Sequence, residues 1–478
     1  MYRLAPLLVL AFFLLGPPFT AAAQPQVETC RPTRSHDGLM ERAIDVLGID
    51  TTRILHFAAG EYVVQAFQSE RTYPPFFALI RQSEIWYDPA TRVQRTHSEF
   101  VYPGFGPSEM PATLADEHSA FIDRDGTLIP APGSMGAQAL HPMNPWAVVP
   151  SFRDAELTEE CVYRDFPRAV FTREDGARLY VDPKTAYPVK LDVVEPHYLW
   201  GQVHVEVLYG LWELFDGSAF PRSSFRLVDG SVEIARTVGN VDFLPAADAP
   251  ALDLPDAPAP PAASDTPLFL QPLPPDTVRV ADDAYLLQNP GYTEAVALVG
   301  DTVFVFDATQ AAERARQDHE WIRRLFPGDH PVVVVVTDLA WPHIAGVRYW
   351  VAQGATILSH RMSEDFLRQV VEREWTLEPD ILEERRRPMI FHPIDEDTTV
   401  AGVRIMPIDG IGSEGALIAF VPGSGFLWAG DFIQTLDRPT SYTSEVRAAV
   451  RRAGILPDKV AAQHLPLSSW DEVEALDQ

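Results

Sequence analysis

A proline-rich stretch in the middle of the chain limits the folds available to this sequence more than any other feature. Ten prolines lie between Pro245 and Pro275, interspersed with alanine and aspartate. Proline lacks a backbone N–H donor and is unfavourable inside helices and central strands, so this stretch predicts an extended linker over residues 245–276. The 478 residues are enough for two domains. We therefore expect a first domain over residues 27–244 and a second over residues 277–478.

The N-terminus has the pattern of a secretory signal peptide over residues 1–23. Arg3 precedes an apolar run from Leu4 to Leu15, and Ala21 and Ala23 provide an A-x-A cleavage site. Cleavage would leave an exported protein, periplasmic or extracellular. It would have no membrane span, because the apolar run is shorter than the roughly 20 residues that cross a bilayer. The alternative is a retained N-terminal anchor.

Charge and cysteine content restrict the partners and the compartment. The formal net charge of −29 repels the phosphates of nucleic acid and of anionic lipid. We therefore expect no nucleic-acid partner, while a small-molecule or peptide ligand remains open. The chain has two cysteines, Cys30 and Cys161. In an oxidising compartment they can form one disulfide that ties the mature N-terminus to the first domain, and the alternative is two unpaired thiols.

The first domain is predicted to be mostly antiparallel β. A helix capped by Asp37 is expected before Gly48, and the segments after it alternate apolar and polar residues with turn signals between them. Examples of the predicted strands are Ile85–Tyr87, Val93–Phe100, Arg178–Val181, Val189–Val194, Val203–Tyr209 and Ser224–Val228. The run Leu179–Lys190 resembles the strand-turn-strand of periplasmic lipoprotein-carrier half-barrels, whose sheets often hold an apolar ligand on the concave side. The alternative is a structural or docking domain.

The second domain alternates strands and helices. Pro331–Val336 is a continuous β-branched run, which is typical of a strand buried on both faces. A helix is predicted on each side of it, over Gln310–Phe326 and near His343–Gln353. This order predicts an α/β domain with helices outside packed sheets.

The segment after the buried run resembles the metallo-β-lactamase-fold hydrolases. That family carries Thr-His-x-His-x-Asp-His after a buried strand, followed by a helix with glycine. Here Thr337 and His343 are kept, whereas Asp338, Ala340 and Pro342 stand at the first His, the second His and the Asp. The resemblance implies an αββα sandwich in the second domain and a degenerate metal-binding motif.

Other family positions occur in the expected order. The strand ending at Asp307 resembles the early strand whose Asp supports the site, and Phe426–Asp431 resembles the strand whose terminal carboxylate bridges the metals. His464 matches the last histidine, while Gly412 or Ser413 stands where another histidine is usual. Alanine and glycine offer no side-chain donor atom, so the metal position that normally uses three histidines is lost.

Three functions remain open for these residues. In one, His343, Asp431 and His464 hold a single divalent ion such as zinc, and Asp338 is the general base in hydrolysis of an ester, amide or phosphoester. In another, the protein is a non-catalytic binding or scaffold pseudoenzyme. In the third, the surviving side chains hydrogen-bond one another and are structural. The loss of several ligands within one loop argues against the usual two-metal mechanism and favours the pseudoenzyme.

One charged run is predicted to be solvated. Glu372–Arg387 contains several glutamates and arginines, and we expect it to be an exposed helix end and loop. Insertions at this place in the family often cover the active-site mouth, which Trp341, Trp375 and Phe391 would then line. The alternative is that these aromatic residues belong to the core.

Overall fold

The computed structural model describes most of the chain outside its N-terminus and linker. The described residues are 29–33, 36–64, 78–101, 107–116, 120–124, 126–130, 141–163, 166–197, 199–254, 276–289, 292–309, 311–408, 415–437, 439 and 442–476. The predicted signal peptide and residues 255–275 of the predicted linker lie outside them.

The first part of the chain forms one sheet of 14 strands. The strands are β1 (Thr29–Pro32), β2 (Arg53–Val64), β3 (Ala78–Asp88), β4 (Val93–Val101), β5 (Pro107–Ala115), β6 (Ala120–Arg124), β7 (Thr127–Pro130), β8 (Glu156–Tyr163), β9 (Phe166–Thr172), β10 (Arg178–Val181), β11 (Pro188–His197), β12 (Gly201–Phe215), β13 (Ser218–Val228) and β14 (Ser231–Pro245). Their order across the sheet is β1, β8 to β14, then β2 to β7, and every neighbouring pair is antiparallel. The prediction of a large antiparallel sheet is therefore confirmed.

One face of this sheet carries the hydrophobic core. Along β2, Leu55, Phe57 and Ala59 are buried in a cluster that also includes the helices Leu39–Asp45 and Pro145–Val148. Shorter 3-10 segments lie at His141–Met143, Val149–Phe152 and Ala246–Asp248. The alternation along β2 places every second side chain on this face, as expected for a strand with one covered side.

The prediction of Asp37 as the cap of the first helix is wrong. The residue at the N-cap is Gly38, with a φ of 65°, and no side chain caps the helix. A left-handed φ is sterically easy for glycine, and this position therefore moves the helix start one residue past the predicted cap.

The second part of the chain has two sheets. The first contains β15 (Asp276–Ala281), β16 (Ala284–Asn289), β17 (Tyr292–Val299), β18 (Thr302–Phe306), β19 (Val332–Val335), β20 (Thr356–His360) and β21 (Ile390–Ile394), in that order. The second contains β22 (Thr398–Val400), β23 (Val403–Pro407), β24 (Leu417–Val421), β25 (Phe426–Trp428), β26 (Lys459–Ala461) and β27 (Ser468–Ser469). Strands β18 to β21 run parallel, as do β25 and β26.

Helices separate several of these strands. They span Ala312–Leu325, Trp341–Ile344, Val347–Gln353, Glu364–Glu372, Ile381–Arg385, Thr443–Ala453 and Trp470–Glu474, with 3-10 segments at Arg361–Ser363 and Pro422–Ser424. The β-branched run after Pro331 forms β19, and its register with β18 and β20 is parallel on both sides. A strand inside a parallel sheet is covered on both faces, so its side chains are apolar on both faces. This explains the run of consecutive valines.

Three groups of buried side chains hold the second part together. One group joins the two sheets and includes Phe304 and Phe306 of β18 with Ile405 of β23 and Trp428 of β25. Another joins the helix Thr443–Ala453 to the second sheet. The third includes side chains of the helix Ala312–Leu325 and of the first sheet, and it continues into the core of the 14-stranded sheet.

Polar contacts also join the two parts of the chain, around the turn between β11 and β12 and the turn between β13 and β14. Arg373 donates from Nε to the Trp200 carbonyl at 3.1 Å, and its Nη2 lies 2.8 Å from the Asp229 carboxylate. The Gln202 side-chain carbonyl accepts from the backbone N–H of Thr376 at 3.0 Å. Most residues of Glu372–Arg387 are exposed, as predicted, but Trp375 and Leu382 are buried.

Trp375 is part of the same contact. Its side chain is 9% exposed, lies under the Arg348 guanidinium at 4.9 Å, and faces Gly201. A Cβ on Gly201 would lie 2.2 Å from the Trp375 ring, so only glycine allows this close approach. Trp375 belongs to the contact between the two parts of the chain.

The two cysteines form a disulfide. Cys30 of β1 lies directly opposite Cys161 of β8, and their sulfurs are bonded. This confirms the predicted bridge, which fixes the edge strand β1 to the rest of the sheet. Among the described residues, no helix has the length and apolar character needed to cross a membrane.

Candidate functional site

The candidate residues lie where several strands of the two sheets end. Asp307 follows β18, Asp338 lies three residues after β19, and His343 is in the short helix Trp341–Ile344 that comes next. Asp431 lies three residues after β25, and His464 lies three residues after β26. Strands β18 and β19 are parallel, as are β25 and β26, so each pair delivers its loops to one edge. Polar side chains at the carboxyl ends of parallel strands commonly form ligand sites.

Asp307 is the centre of a buried hydrogen-bond network. Its Oδ1 accepts from the backbone N–H and the hydroxyl of Thr337, at 2.9 and 2.8 Å. Its Oδ2 accepts from Nε1 of Trp428 at 2.9 Å and from Nε2 of Gln463 at 3.3 Å. Burial raises the pKa of Asp307, although the nearby His343 opposes the rise. The carboxylate therefore ties the ends of β18, β19, β25 and β26 together.

Backbone geometry supports this network. Asp307 has a φ of 73°, and Gly430, next to Asp431, has a φ of 56°. A Cβ on Gly430 would lie 2.7 Å from the Thr337 hydroxyl oxygen, so glycine is required there for Thr337 to reach Asp307. The Gly-Asp pair at the end of β25 thus has a packing role beside any role of the carboxylate.

Asp338 and His343 form a buried pair. Nδ1 of His343 lies 2.7 Å from Oδ2 of Asp338, and both side chains are at most 2% exposed. The other Asp338 oxygen accepts from the backbone N–H of Ala340 at 2.8 Å. Burial lowers the pKa of His343, but the carboxylates of Asp338, Asp307 and Asp431 outweigh it and raise the pKa to about 10. The contact between them is an ion pair, because neither Nδ1 of His343 nor Oδ2 of Asp338 makes a hydrogen bond of normal geometry.

Asp431 and His464 form a second, more open pair. Oδ1 of Asp431 lies 3.5 Å from Nε2 of His464, and the two side chains are 30% and 35% exposed. Oδ1 of Asp431 also accepts from the Gln434 amide at 3.3 Å, and the His464 ring packs on Tyr292 at 4.9 Å. Burial raises the pKa of Asp431, against the opposing charge of His343. This pair is the accessible portion of the site.

The donor geometry bears on whether a zinc ion fits. Ligands of one zinc each lie about 2.0–2.2 Å from it, so their donor atoms are within about 4.4 Å of one another. Among the described residues, the donor atoms of His343, Asp431 and His464 do not all lie within 4.8 Å of one another. Of the described side chains, Cys30, Glu159 and Cys161 do meet that spacing, but both sulfurs are in the disulfide. As arranged, the three predicted ligands do not fit a shared ion, and their assignment stays a prediction.

The structure adds residues that the motif comparison did not include. Gln463 and Trp428 both bond to Asp307 through buried side chains, and Glu294, also buried, accepts from the Thr309 hydroxyl at 3.0 Å. The position of Gln463 beside His464 was the one sequence signal for its role. The loop with Gly412 and Ser413 lies outside the described residues.

Comparisons with known proteins give structural likenesses only. No family model matches the chain, and no curated protein matches its sequence. The crystal structure of DIM-1 metallo-beta-lactamase is 15% identical and covers 43% of this chain and 95% of its own, with a TM-score of 0.34. A metallo beta lactamase from Erythrobacter litoralis is 16% identical over 42% of this chain and 96% of its own, with a TM-score of 0.31. FIM-1 from Pseudomonas aeruginosa, in a mono-zinc form, is 13% identical over 42% and 93%, with a TM-score of 0.32.

Proposed function

We infer that this chain is an exported binding or scaffold protein whose second domain, residues 277–478, is an αββα sandwich of the metallo-β-lactamase type without a working metal site. Two sheets that share a core, with helices in the groups on either side, support the sandwich. The apolar run before Ala23 supports export. The proline-rich linker supports a separate first domain over residues 27–244.

The contact between Asp338 and His343 is the observation that carries the non-catalytic proposal. The histidine kept from the motif is engaged at 2.7 Å by the aspartate that replaces the first metal-binding histidine. Ala340 has no donor atom, and a proline at position 342 offers none either. The opposite charges of this buried pair offset each other without an ion, although neither Nδ1 of His343 nor Oδ2 of Asp338 makes a hydrogen bond of normal geometry. The fold then presents a ligand surface at this edge, for a small molecule or peptide.

Zinc binding tests this proposal directly. The exported protein is stripped with a chelator, dialysed and titrated with zinc by calorimetry, and its metal content is measured after gel filtration. We expect far less than one equivalent of zinc and no zinc-dependent rise in thermal midpoint. One bound equivalent that is lost in His343→Ala and His464→Ala, but kept in the control His392→Ala, would instead establish a metal site.

The alternative function, a mononuclear metal hydrolase, is favoured by one observation. Asp431 and His464 lie 3.5 Å apart and stay accessible, so two of the three predicted ligands are already adjacent. In that case His343 would complete the site and Asp338 would act as base. Hydrolysis of ester, amide or phosphoester probes that requires zinc and is lost in Asp431→Asn distinguishes this alternative from the binding protein.

A further inference from the structure

An exposed apolar row crosses the outer face of the 14-stranded sheet. The outer face is the one opposite the hydrophobic core. Six residues in direct register on consecutive strands β13, β14, β2, β3, β4 and β5 make up the row, and all six are apolar: Phe225, Ala235, Tyr62, Ile80, Val101 and Pro107. Directly paired residues of antiparallel strands point to the same side, so these side chains form one continuous stripe. At a strand spacing of about 4.8 Å, the apolar row is roughly 24 Å long.

The apolar row is open to solvent. Tyr62 is 52% exposed, Ile80 40%, Phe225 39% and Val101 37%. Glu61, Leu79 and Arg81, which are next to Tyr62 and Ile80 in the sequence, are buried on the core face, so the row belongs to the outer face. Isolated exposed apolar residues are ordinary, but a continuous stripe across six strands marks a surface that binds something.

The charges beside the apolar row indicate what it binds. The next residues along the strands on the same face, two positions away, include Gln82, Glu99 and Glu109. This flanking row has two carboxylates, and that of Glu109 lies 2.9 Å from Nε2 of His97. The whole chain carries a net charge of −29, so a second copy of it or an anionic lipid surface would be repelled. A partner with basic groups beside apolar ones is attracted.

We propose that the apolar row is a docking site for an amphipathic helical segment of another protein, with lysine or arginine beside its apolar stripe. A helix rises about 1.5 Å per residue, so about 16 residues cover the length of the row. Its apolar side chains lie on Tyr62, Ile80, Phe225 and Val101. Its basic side chains lie over Glu99 and Glu109, which set the orientation.

A synthetic 18-residue peptide of leucine and lysine in amphipathic helical order is the probe, with a leucine–glutamate peptide of the same pattern as its control. Binding to the full chain is measured by fluorescence anisotropy at about 0.15 M salt, where distant charges are screened. We expect saturable binding of the lysine peptide and none of the glutamate peptide. Tyr62→Ser and Ile80→Ser each weaken binding at least tenfold, whereas Leu456→Ser, at an 88% exposed leucine after the helix Thr443–Ala453, changes it less than twofold.

Several results would overturn the proposal. Equal affinity in Tyr62→Ser, Ile80→Ser and Leu456→Ser would show that the lysine peptide binds elsewhere. A dimer in sedimentation equilibrium that dissociates in Ile80→Ser would identify a second copy as the occupant. Binding to phosphatidylcholine vesicles that is lost in the same variant would identify a lipid surface. Circular dichroism and the thermal midpoint verify that each variant is folded, which is expected because the substituted side chains are exposed.

Discussion

Replacing Gly201 by alanine tests the contact between the two parts of the chain. Gly201 begins β12 with a φ of 71°, and the Trp375 ring lies where its Cβ would be, at 2.2 Å. Two separate effects then act against the folded state. Alanine is strained in the left-handed region, and the tryptophan must move out of a buried position.

The size of the effect follows from these two terms. A left-handed conformation costs an L-residue with a Cβ about 1–2 kcal/mol. An added methyl group that displaces a packed ring costs about 1–3 kcal/mol more. We therefore expect Gly201→Ala to lower the free energy of unfolding by about 2–5 kcal/mol. Movement of Trp375 also disturbs Arg348, whose guanidinium lies over the ring.

Gly217→Ala is the matched control. Gly217 has a φ of 85° in the turn between β12 and β13, and nothing lies within 4 Å of its would-be Cβ. It therefore reports the conformational strain alone. Denaturant unfolding, followed by circular dichroism and by tryptophan fluorescence, measures both variants. The difference between their free energies of unfolding is the cost of displacing the Trp375 ring.

A double-mutant cycle with Trp375→Ala identifies the partner. The single change Trp375→Ala removes a buried ring, and Gly201→Ala in that background no longer meets it. We expect the two effects to be non-additive by about 1–3 kcal/mol. If Gly201→Ala is no worse than Gly217→Ala, or if the two changes add, the ring does not press on Gly201 and the described contact between the two parts is wrong.

Three other perturbations have defined outcomes. The double change Cys30→Ser and Cys161→Ser opens a loop of 131 residues and should lower the free energy of unfolding by about 5 kcal/mol in the chain-entropy model. An unchanged urea midpoint would contradict this. Burial opposes ionisation of Glu61, but Arg81 and Arg236 outweigh it and lower the pKa of Glu61 from 4.5 to about 2. The ionised carboxylate therefore contributes to the free energy of unfolding above pH 4.5, and about 3 kcal/mol of it is lost as the pH drops towards 2. Glu61→Gln should remove this pH dependence, measured by unfolding at a series of pH values. Trp428→Phe removes one donor to the buried Asp307 and should cost about 1–3 kcal/mol; a calorimetric midpoint equal to wild type would show that the bond is dispensable.

Local patterns predict part of the regular structure, because a strand that is buried on one face alternates apolar and polar residues. The segments around Ile85 and Val205 were found as strands in this way, and the valine run at β19 was recognised because parallel strands are buried on both faces. The pattern does not predict the N-cap of the first helix, because it is based on a capping side-chain oxygen. Gly38 has no side chain and occupies the N-cap with a left-handed φ.

Contacts between distant segments were not predictable from such patterns. Arg373 and Trp375 lie in a charged run that has the composition of a solvated surface, and only the position of Trp200 and Gln202 shows that it is covered. The same limit applies at the candidate site. The motif placed His343 and Asp338 near each other, but their pairing depends on how the loop after β19 turns into the next helix.

The strand order has a consequence for synthesis. Strand β2 pairs with β14, and Gly60 bonds to Thr237, which follows it by 177 residues. At about 5–20 residues per second, β2 waits roughly 10–35 seconds on the ribosome before its partner exists. During that time the edge of β2 that will later hold β14 is unpaired and can join a strand of another chain. A chain that ends before β14 is therefore expected to aggregate more readily than the whole protein.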